Sequence, residues 1–121
     1  MNLDLESAKA AQEIITETKE RKASEVENII TKTLGVLQEN GVYACILFLC
    51  SRNSDSDNVV RTKLLEMTKL LKLEPPNGDK SEDVLKFITD NICNDIDAIL
   101  LTKQLWEQIL IYARYGAKAR E

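Results

Sequence analysis

Apolar residues recur at steps of three and four along most of the chain, the spacing that places them on one face of an α-helix. The clearest series comprises Val26, Ile29, Ile30, Leu34 and Leu37. Ser24 and Glu27 lie at the beginning of this series and have the spacing of a capping box, in which the serine side chain caps the first turn. Asn40-Gly41 follows it, and glycine at this place commonly ends a helix. The pattern therefore predicts a helix that begins after Ser24 and ends before Gly41.

The segment Val42–Arg52 is apolar on nearly every side, so its pattern fits either a buried strand or a buried helix. The sequence contains no second run of this kind with which a strand could pair its backbone. We therefore predict a central buried helix. A polar loop over residues 51–58 should follow, in which Ser54 or Asp57 caps the next helix.

The second half of the chain predicts three more helices, separated by two breaks. A helical apolar stripe covers residues 59–71, and the Pro-Pro and Asn-Gly pairs within residues 74–79 end it. Ser81 is predicted to cap a short helix. After a polar turn over residues 91–97, the last helix is predicted over residues 98–118.

Together these segments predict an all-α fold. With a first helix on the stripe from Leu3 to Ile15, residues 1–121 should form a single domain, an orthogonal bundle of five to six helices around the Val42–Arg52 segment. The length of 121 residues is that of one ordinary domain. No internal repeat divides the chain.

The residue types present argue against catalysis. Histidine, the most frequent general base at neutral pH, is absent, which excludes Ser–His and Cys–His nucleophile pairs. No spacing of carboxylates or lysines indicates another catalytic centre. Cys45, Cys50 and Cys93 lie in apolar contexts without zinc-site spacing, and we interpret them as reduced, buried thiols. The sequence therefore predicts no enzyme activity, no metal and no cofactor.

Targeting signals are not evident in the sequence. The longest mostly apolar run, residues 42–50, is about half the length that a membrane-spanning helix needs. The first residues lack the basic and apolar pattern of a secretory signal. We therefore expect a cytoplasmic protein without a membrane partner.

The distribution of charge singles out the last helix. A net charge of −4 argues against a protein that binds nucleic acid on its own, because such proteins usually present a basic face. Lys103, Arg114 and Lys118, however, fall on one side of the last helix, opposite Trp106. We call these three residues the basic strip; with Arg120 nearby, it is a candidate for contacts with phosphates. An ordinary solvated face, favoured by the helix dipole, is the alternative.

A second group of cations flanks the loop after the buried segment, and its members are Arg52, Arg61 and Lys63. They are also candidates for phosphate contacts, and a polar loop with scattered charges is again the alternative. Among the aromatic residues, Trp106 and Tyr112 are interpreted as core because they lie on the apolar side of the last helix. Tyr43 and Tyr115 stay open as surfaces on which a base could stack.

Two stretches resemble the small α-helical subunit of the type III-B (Cmr) CRISPR effector complex. The first is LQENGVYACILFL at residues 37–49, a helix end, Asn-Gly, and then a hydrophobic helix with an A-x-x-F-L-like core. The second covers residues 97–119, a last helix that ends in an aromatic residue, basic residues and small residues. The two stretches have the order of that family and similar distances from the C-terminus.

The resemblance implies a structural subunit without catalytic activity. Copies would stack beside the backbone subunits of the complex and line the channel that holds the guide RNA and the target RNA. Base pairing would read the sequence, while the protein would contact RNA backbone and shape. The implied partners are other subunits of the complex, further copies of this chain, and both RNAs. Small subunits of type III-A and archaeal type I complexes stay alternatives, and so does a helical adaptor that binds only protein.

Overall fold

The computed structural model describes residues 2–78 and 80–120, which form six α-helices and no β-strand. The helices are α1 (Leu3–Glu17), α2 (Ala23–Asn40), α3 (Val42–Arg52), α4 (Asp55–Met67), α5 (Ser81–Ile88) and α6 (Ile96–Ala119). A 3₁₀ turn (Thr68–Leu71) continues α4, and a π-helical turn (Thr89–Cys93) continues α5. The all-α fold class predicted from the apolar periodicity is confirmed.

The bundle is organised around α6 rather than around the apolar segment that forms α3. The longest helix, α6, packs along both α1 and α2, and these are the two most extensive helix contacts in the described part of the chain. Trp106 and Ile109 of α6 are fully buried, as are Ile46 and Leu49 of α3. Because α3 leaves Leu47 on its other side exposed, it lies nearer the edge of the core than the sequence suggested.

Two predicted N-caps are wrong. The first residue of α2 is Ala23, so Ser24 lies inside the helix and no side chain caps its start. The backbone carbonyl of Lys22 instead accepts the N–H of Val26 at 3.1 Å, and Ala23 is buried, which holds the chain in helical conformation one residue earlier. Similarly, Ser81 is the first residue of α5 rather than its cap.

The connection between α3 and α4 shows a capping box that the sequence indicated in part. The Ser54 Oγ accepts the backbone N–H of Asp57 at 3.2 Å, and the Asp57 carboxylate accepts the N–H of Ser54 at 3.1 Å. The predicted loop over residues 51–58 is therefore reduced to two residues. Asn53 allows this sharp turn because asparagine tolerates the left-handed conformation it adopts, with φ of 54°.

The break predicted over residues 74–79 is non-helical through Gly78, and its last residue, Asp79, lies outside the described residues. The last helix begins at Ile96, two residues earlier than predicted, because the Asp95 side chain accepts the N–H groups of Asp97 and Ala98. Within the described ranges, none of the helices combines the length and apolarity needed to span a membrane.

The two serines give a matched pair of variants. Ser54→Ala should lower the free energy of unfolding by about 1 kcal/mol, because it leaves the first turn of α4 without its cap. Ser24→Ala should change it by less than about 0.5 kcal/mol, since Ser24 caps nothing. Urea unfolding followed by circular dichroism measures both values. Equal losses in the two variants would contradict the observed starts of α2 and α4.

Candidate nucleic-acid interface

The basic strip lies on the solvent side of α6. Lys118 is exposed, whereas Lys103 and Arg114 are half-buried. Trp106, which lies about one turn along α6 from Lys103, is fully buried, as the periodicity predicted. The helix therefore presents the three cations outward while its other side anchors it in the core.

Each lysine of the basic strip already has a carboxylate near it. The Lys103 Nζ lies 4.0 Å from an Oε of Glu107, and the Lys118 Nζ lies 3.9 Å from an Oε of Glu27 on α2. Ion pairs at solvent-exposed positions typically contribute only about 0–1 kcal/mol. A phosphate group could therefore replace either carboxylate at small cost.

Tyr115 joins the basic strip as an exposed aromatic side chain, with 57% of its surface accessible. The Arg114 guanidinium carbon lies 5.4 Å from the centre of its ring, and the Lys118 Nζ lies 6.0 Å from it. Both distances are those of cation–π contacts. An exposed ring with two cations beside it offers a surface on which a base could stack and positive charges for the adjacent phosphates. The signal in the sequence is the Arg114-Tyr115 pair followed by Lys118 one turn later.

A shallow groove of about 590 Å³ between α1 and α6 adjoins Tyr115. Its lining includes the aromatic residues Tyr112 and Tyr115 and the small residues Ala8 and Ala11. Gly116 lets the two helices approach closely, because a Cβ at this position would lie 3.1 Å from the side chain of Ile15. The groove supplies apolar surface directly beside the cationic end of α6.

Arg120 connects the end of α6 to another part of the chain through hydrogen bonds. Its Nη1 donates to the backbone carbonyl of Thr18 at 3.0 Å, and its Nη2 donates to the carbonyl of Arg21. These bonds tie the end of α6 to the turn after α1. Part of the guanidinium is therefore occupied, and Arg120 lies beside the basic strip rather than within it.

The second group of cations does not form one surface. Arg52 lies over the ring of Phe48 at 5.4 Å, and its Nε is 3.4 Å from an Oδ of the buried Asp57. Arg61 is only 3% exposed. Lys63 is 6% exposed and points toward α1. Burial keeps Arg61 and Lys63 from meeting an RNA backbone together with Arg52, so we leave both out of the interface.

Lys63 is surrounded by carboxylates from two helices. It donates a hydrogen bond to Glu13, and its Nζ lies 3.8 Å from an Oε of Glu17 and 3.6 Å from an Oε of Glu66. Burial by itself lowers the pKa of Lys63, but the hydrogen bond to Glu13 and the three negative charges outweigh it. The pKa therefore lies above its ordinary value of 10.5, and Lys63 stays charged at neutral pH.

The aromatic and cysteine side chains divide between core and surface. Trp106 belongs to the core, as predicted. Tyr112 is partly buried and donates a hydrogen bond to Asp4, which raises the pKa of Tyr112.

Among the cysteines, Cys45 is buried, and burial raises the pKa of its thiol to about 12. Cys50 is only partly buried and Cys93 is exposed, so the prediction of buried thiols is confirmed for Cys45 and wrong for Cys93. In residues 2–78 and 80–120, no three His, Cys, Asp or Glu side chains converge as a metal site would require.

The first two turns of α6 form a second unusual surface. Three apolar residues here are exposed: Ile96 is 75% accessible, Leu100 is 60% accessible and Leu101 is 45% accessible. We call these three residues the apolar start of α6. Single exposed apolar residues are ordinary, but three within six positions indicate an interaction surface. At about 100° per residue, Ile96 and Leu100 share the side of the helix that carries Lys103 and Arg114. The same side of α6 is therefore apolar at its beginning and basic at its end.

Comparison with known proteins found no matching family model, no matching curated protein and no matching solved structure. The two surfaces that stand out, the apolar start and the basic strip with Tyr115, both belong to α6.

Proposed function

We propose that this chain is a non-catalytic structural subunit of an RNA-containing complex, in which the C-terminal half of α6 contacts RNA. The observation that supports it is Tyr115, which is exposed and lies close to both Arg114 and Lys118. The resemblance of residues 37–49 and 97–119 to type III small subunits suggests which complex this is. We propose an RNA-guided CRISPR effector ribonucleoprotein, with the guide and target RNAs in its channel.

The contact with RNA would be independent of sequence. Three cations that neutralise phosphates release counterions, which gives affinity without base recognition. Tyr115 would add stacking on an unpaired base, which contributes about 1–3 kcal/mol per base in other proteins. Because the chain has a net charge of −4, the isolated protein should bind RNA weakly. Neighbouring subunits would supply most of the positive field.

The apolar start of α6 would bind neighbouring protein. Ile96, Leu100 and Leu101 are fixed by the rigid helix that follows them, so covering them loses little conformational entropy. Other subunits of the complex and further copies of this chain are the proposed occupants. A charged residue in this surface, such as Leu100→Glu, should prevent incorporation into the complex without affecting the fold.

A helical adaptor that binds only protein is the second candidate. Two observations favour it: the apolar start of α6 is the most exposed apolar segment described, and both lysines of the basic strip already have carboxylate partners. In that case the basic strip would be a solvated face or part of a protein interface, and RNA would not touch it.

A charge-matched pair of variants separates the two candidates. The strip variant changes Lys103, Arg114 and Lys118 to glutamine. The control variant makes the same change at three other exposed lysines, Lys32, Lys80 and Lys86, so both variants have the same net charge. In the complex purified through a tag on this chain, the strip variant should bind target RNA at least about tenfold more weakly, and the salt dependence of log K should flatten by about 2. The control should match wild type.

Unchanged RNA affinity and unchanged salt dependence, in complexes that contain the strip variant, would rule out RNA contact by this face. Failure of the strip variant alone to enter the complex, with its melting temperature unchanged, would assign the basic strip to a protein interface and favour the adaptor.

A further inference from the structure

Arg61 is a buried cation for which the described residues supply only one weak partner. It is 3% exposed, and its one hydrogen bond there runs from Nη1 to the Sγ of Cys50 at 3.7 Å. Sulfur is a weak acceptor, so this bond balances little of the charge. Asp57, one turn earlier on α4, binds Ser54 and pairs with Arg52 instead. The buried guanidinium has therefore lost most of its hydration, and residues 2–78 and 80–120 give it no matching anion.

Arg61 lines a cavity of about 430 Å³ between α4 and the segment that follows the 3₁₀ turn. This volume lies within the range of small-molecule sites. Its lining includes two cations, Arg61 and Lys69, and three apolar residues, Leu65, Pro75 and Pro76. Glu66 also lines the cavity, and its carboxylate lies 3.6 Å from the Nζ of Lys63. Among the described residues that line the cavity, Arg61 and Lys69 are the two cations, and Glu66 is paired with Lys63.

We propose that this cavity binds a small organic anion, with its phosphate or carboxylate group on Arg61 and Lys69. Arginine binds both groups through two parallel N–H bonds, and burial strengthens such charge-assisted bonds. The apolar body of the ligand would pack against Leu65, Pro75 and Pro76. This site shares no residue with the basic strip, and the inference does not depend on the proposed function in an RNA complex.

Calorimetric titration of the whole chain at constant ionic strength tests this site. The probes are inorganic phosphate, phenyl phosphate and benzoate. We expect one of the two aromatic anions to bind more tightly than inorganic phosphate, because its ring adds apolar contact. Tighter binding of phenyl phosphate would identify a phosphate site, and tighter binding of benzoate a carboxylate site. No heat and no rise in melting temperature with any probe up to about 10 mM would overturn the proposal.

Three variants locate the binding. Arg61→Gln should weaken binding of the better probe at least about tenfold, the loss expected for a charge-assisted contact. Lys69→Ala, at an exposed position, should weaken it several-fold without disturbing the fold, and it keeps the test valid if Arg61→Gln unfolds. Lys32→Ala on α2 should bind as wild type does. Equal affinity of wild type and Lys69→Ala, or an equal loss in Lys32→Ala, would show that the anion binds elsewhere.

Discussion

Replacing Trp106 with alanine should lower the free energy of unfolding by about 3–5 kcal/mol. The side chain is completely buried, and its indole Nε1 donates to the backbone carbonyl of Leu64 at 2.9 Å. The substitution removes the largest apolar side chain of the core and also the partner of a buried carbonyl. Because small domains are stable by only about 5–15 kcal/mol, the variant should lose a large part of its stability.

The carbonyl of Leu64 depends on Trp106 because α4 changes its hydrogen-bonding pattern there. The N–H of Thr68 bonds to the carbonyl of Leu65 as the 3₁₀ turn begins, which leaves the carbonyl of Leu64 for the indole. Trp106→Phe would keep much of the packing but leave this carbonyl unpaired, at a cost of about 1–3 kcal/mol. The two variants thus separate the packing of the indole from its hydrogen bond.

Urea unfolding followed by circular dichroism measures both variants, and fluorescence of the wild type gives an independent check. Trp106 is the single tryptophan, so its emission should shift to longer wavelength when the protein unfolds. A loss below about 1 kcal/mol in Trp106→Ala would contradict the central position of α6 in the core.

Replacing Lys63 with methionine should lower the free energy of unfolding by about 1–3 kcal/mol at neutral pH. Methionine retains the apolar stem but leaves Glu13, Glu17 and Glu66 without the cation between them. Removing one partner of a fully buried ion pair costs more, about 3–5 kcal/mol. The smaller value applies here because the three carboxylates are about half exposed and can turn toward water.

The effect of Lys63 should depend on pH in one direction. Folding raises the pKa of Lys63 above 10.5, so its contribution to stability is fully present below that value. It is lost as the pH rises through the pKa of the folded protein. The stability difference between wild type and Lys63→Met should therefore be constant near neutrality and shrink above about pH 10.5. Lys32→Met, at an exposed position, is the control.

Chemical unfolding at several pH values measures this difference directly. A difference that stays constant well above pH 10.5, or one no larger than that of Lys32→Met, would mean that the carboxylates do not hold the ammonium group of Lys63.

Local sequence patterns were sufficient to predict the helices and most of the buried core residues. Trp106 is buried and Ser54 caps α4 as expected, because periodicity and cap spacing act over only a few residues. Ser24 has the same local signal, but tertiary packing of Ala23 decided where α2 begins. The sequence therefore indicated which helices exist more reliably than where each begins.

The buried cations could not have been predicted from the sequence. Arg61 and Lys63 look like surface residues because charged side chains usually are. The partner of Lys63 lies 50 positions away, since Glu13 on α1 approaches it only in the folded chain. Tyr115 was ambiguous because it lies at the edge of the apolar stripe of α6, where small differences in packing decide exposure. Burial of polar residues and exposure of aromatic ones are both properties of the assembled fold.

Photo-crosslinking tests most directly whether RNA lies against the C-terminal half of α6. The complex that contains this chain would be bound to RNA carrying 4-thiouridine and irradiated, and the crosslinked peptides identified by mass spectrometry. We expect crosslinks at Tyr115 or within residues 112–118, retained in Tyr115→Phe and reduced in the variant with glutamine at Lys103, Arg114 and Lys118. Crosslinks confined to other parts of this chain, or none from a complex that has bound the RNA, would contradict an RNA contact by α6.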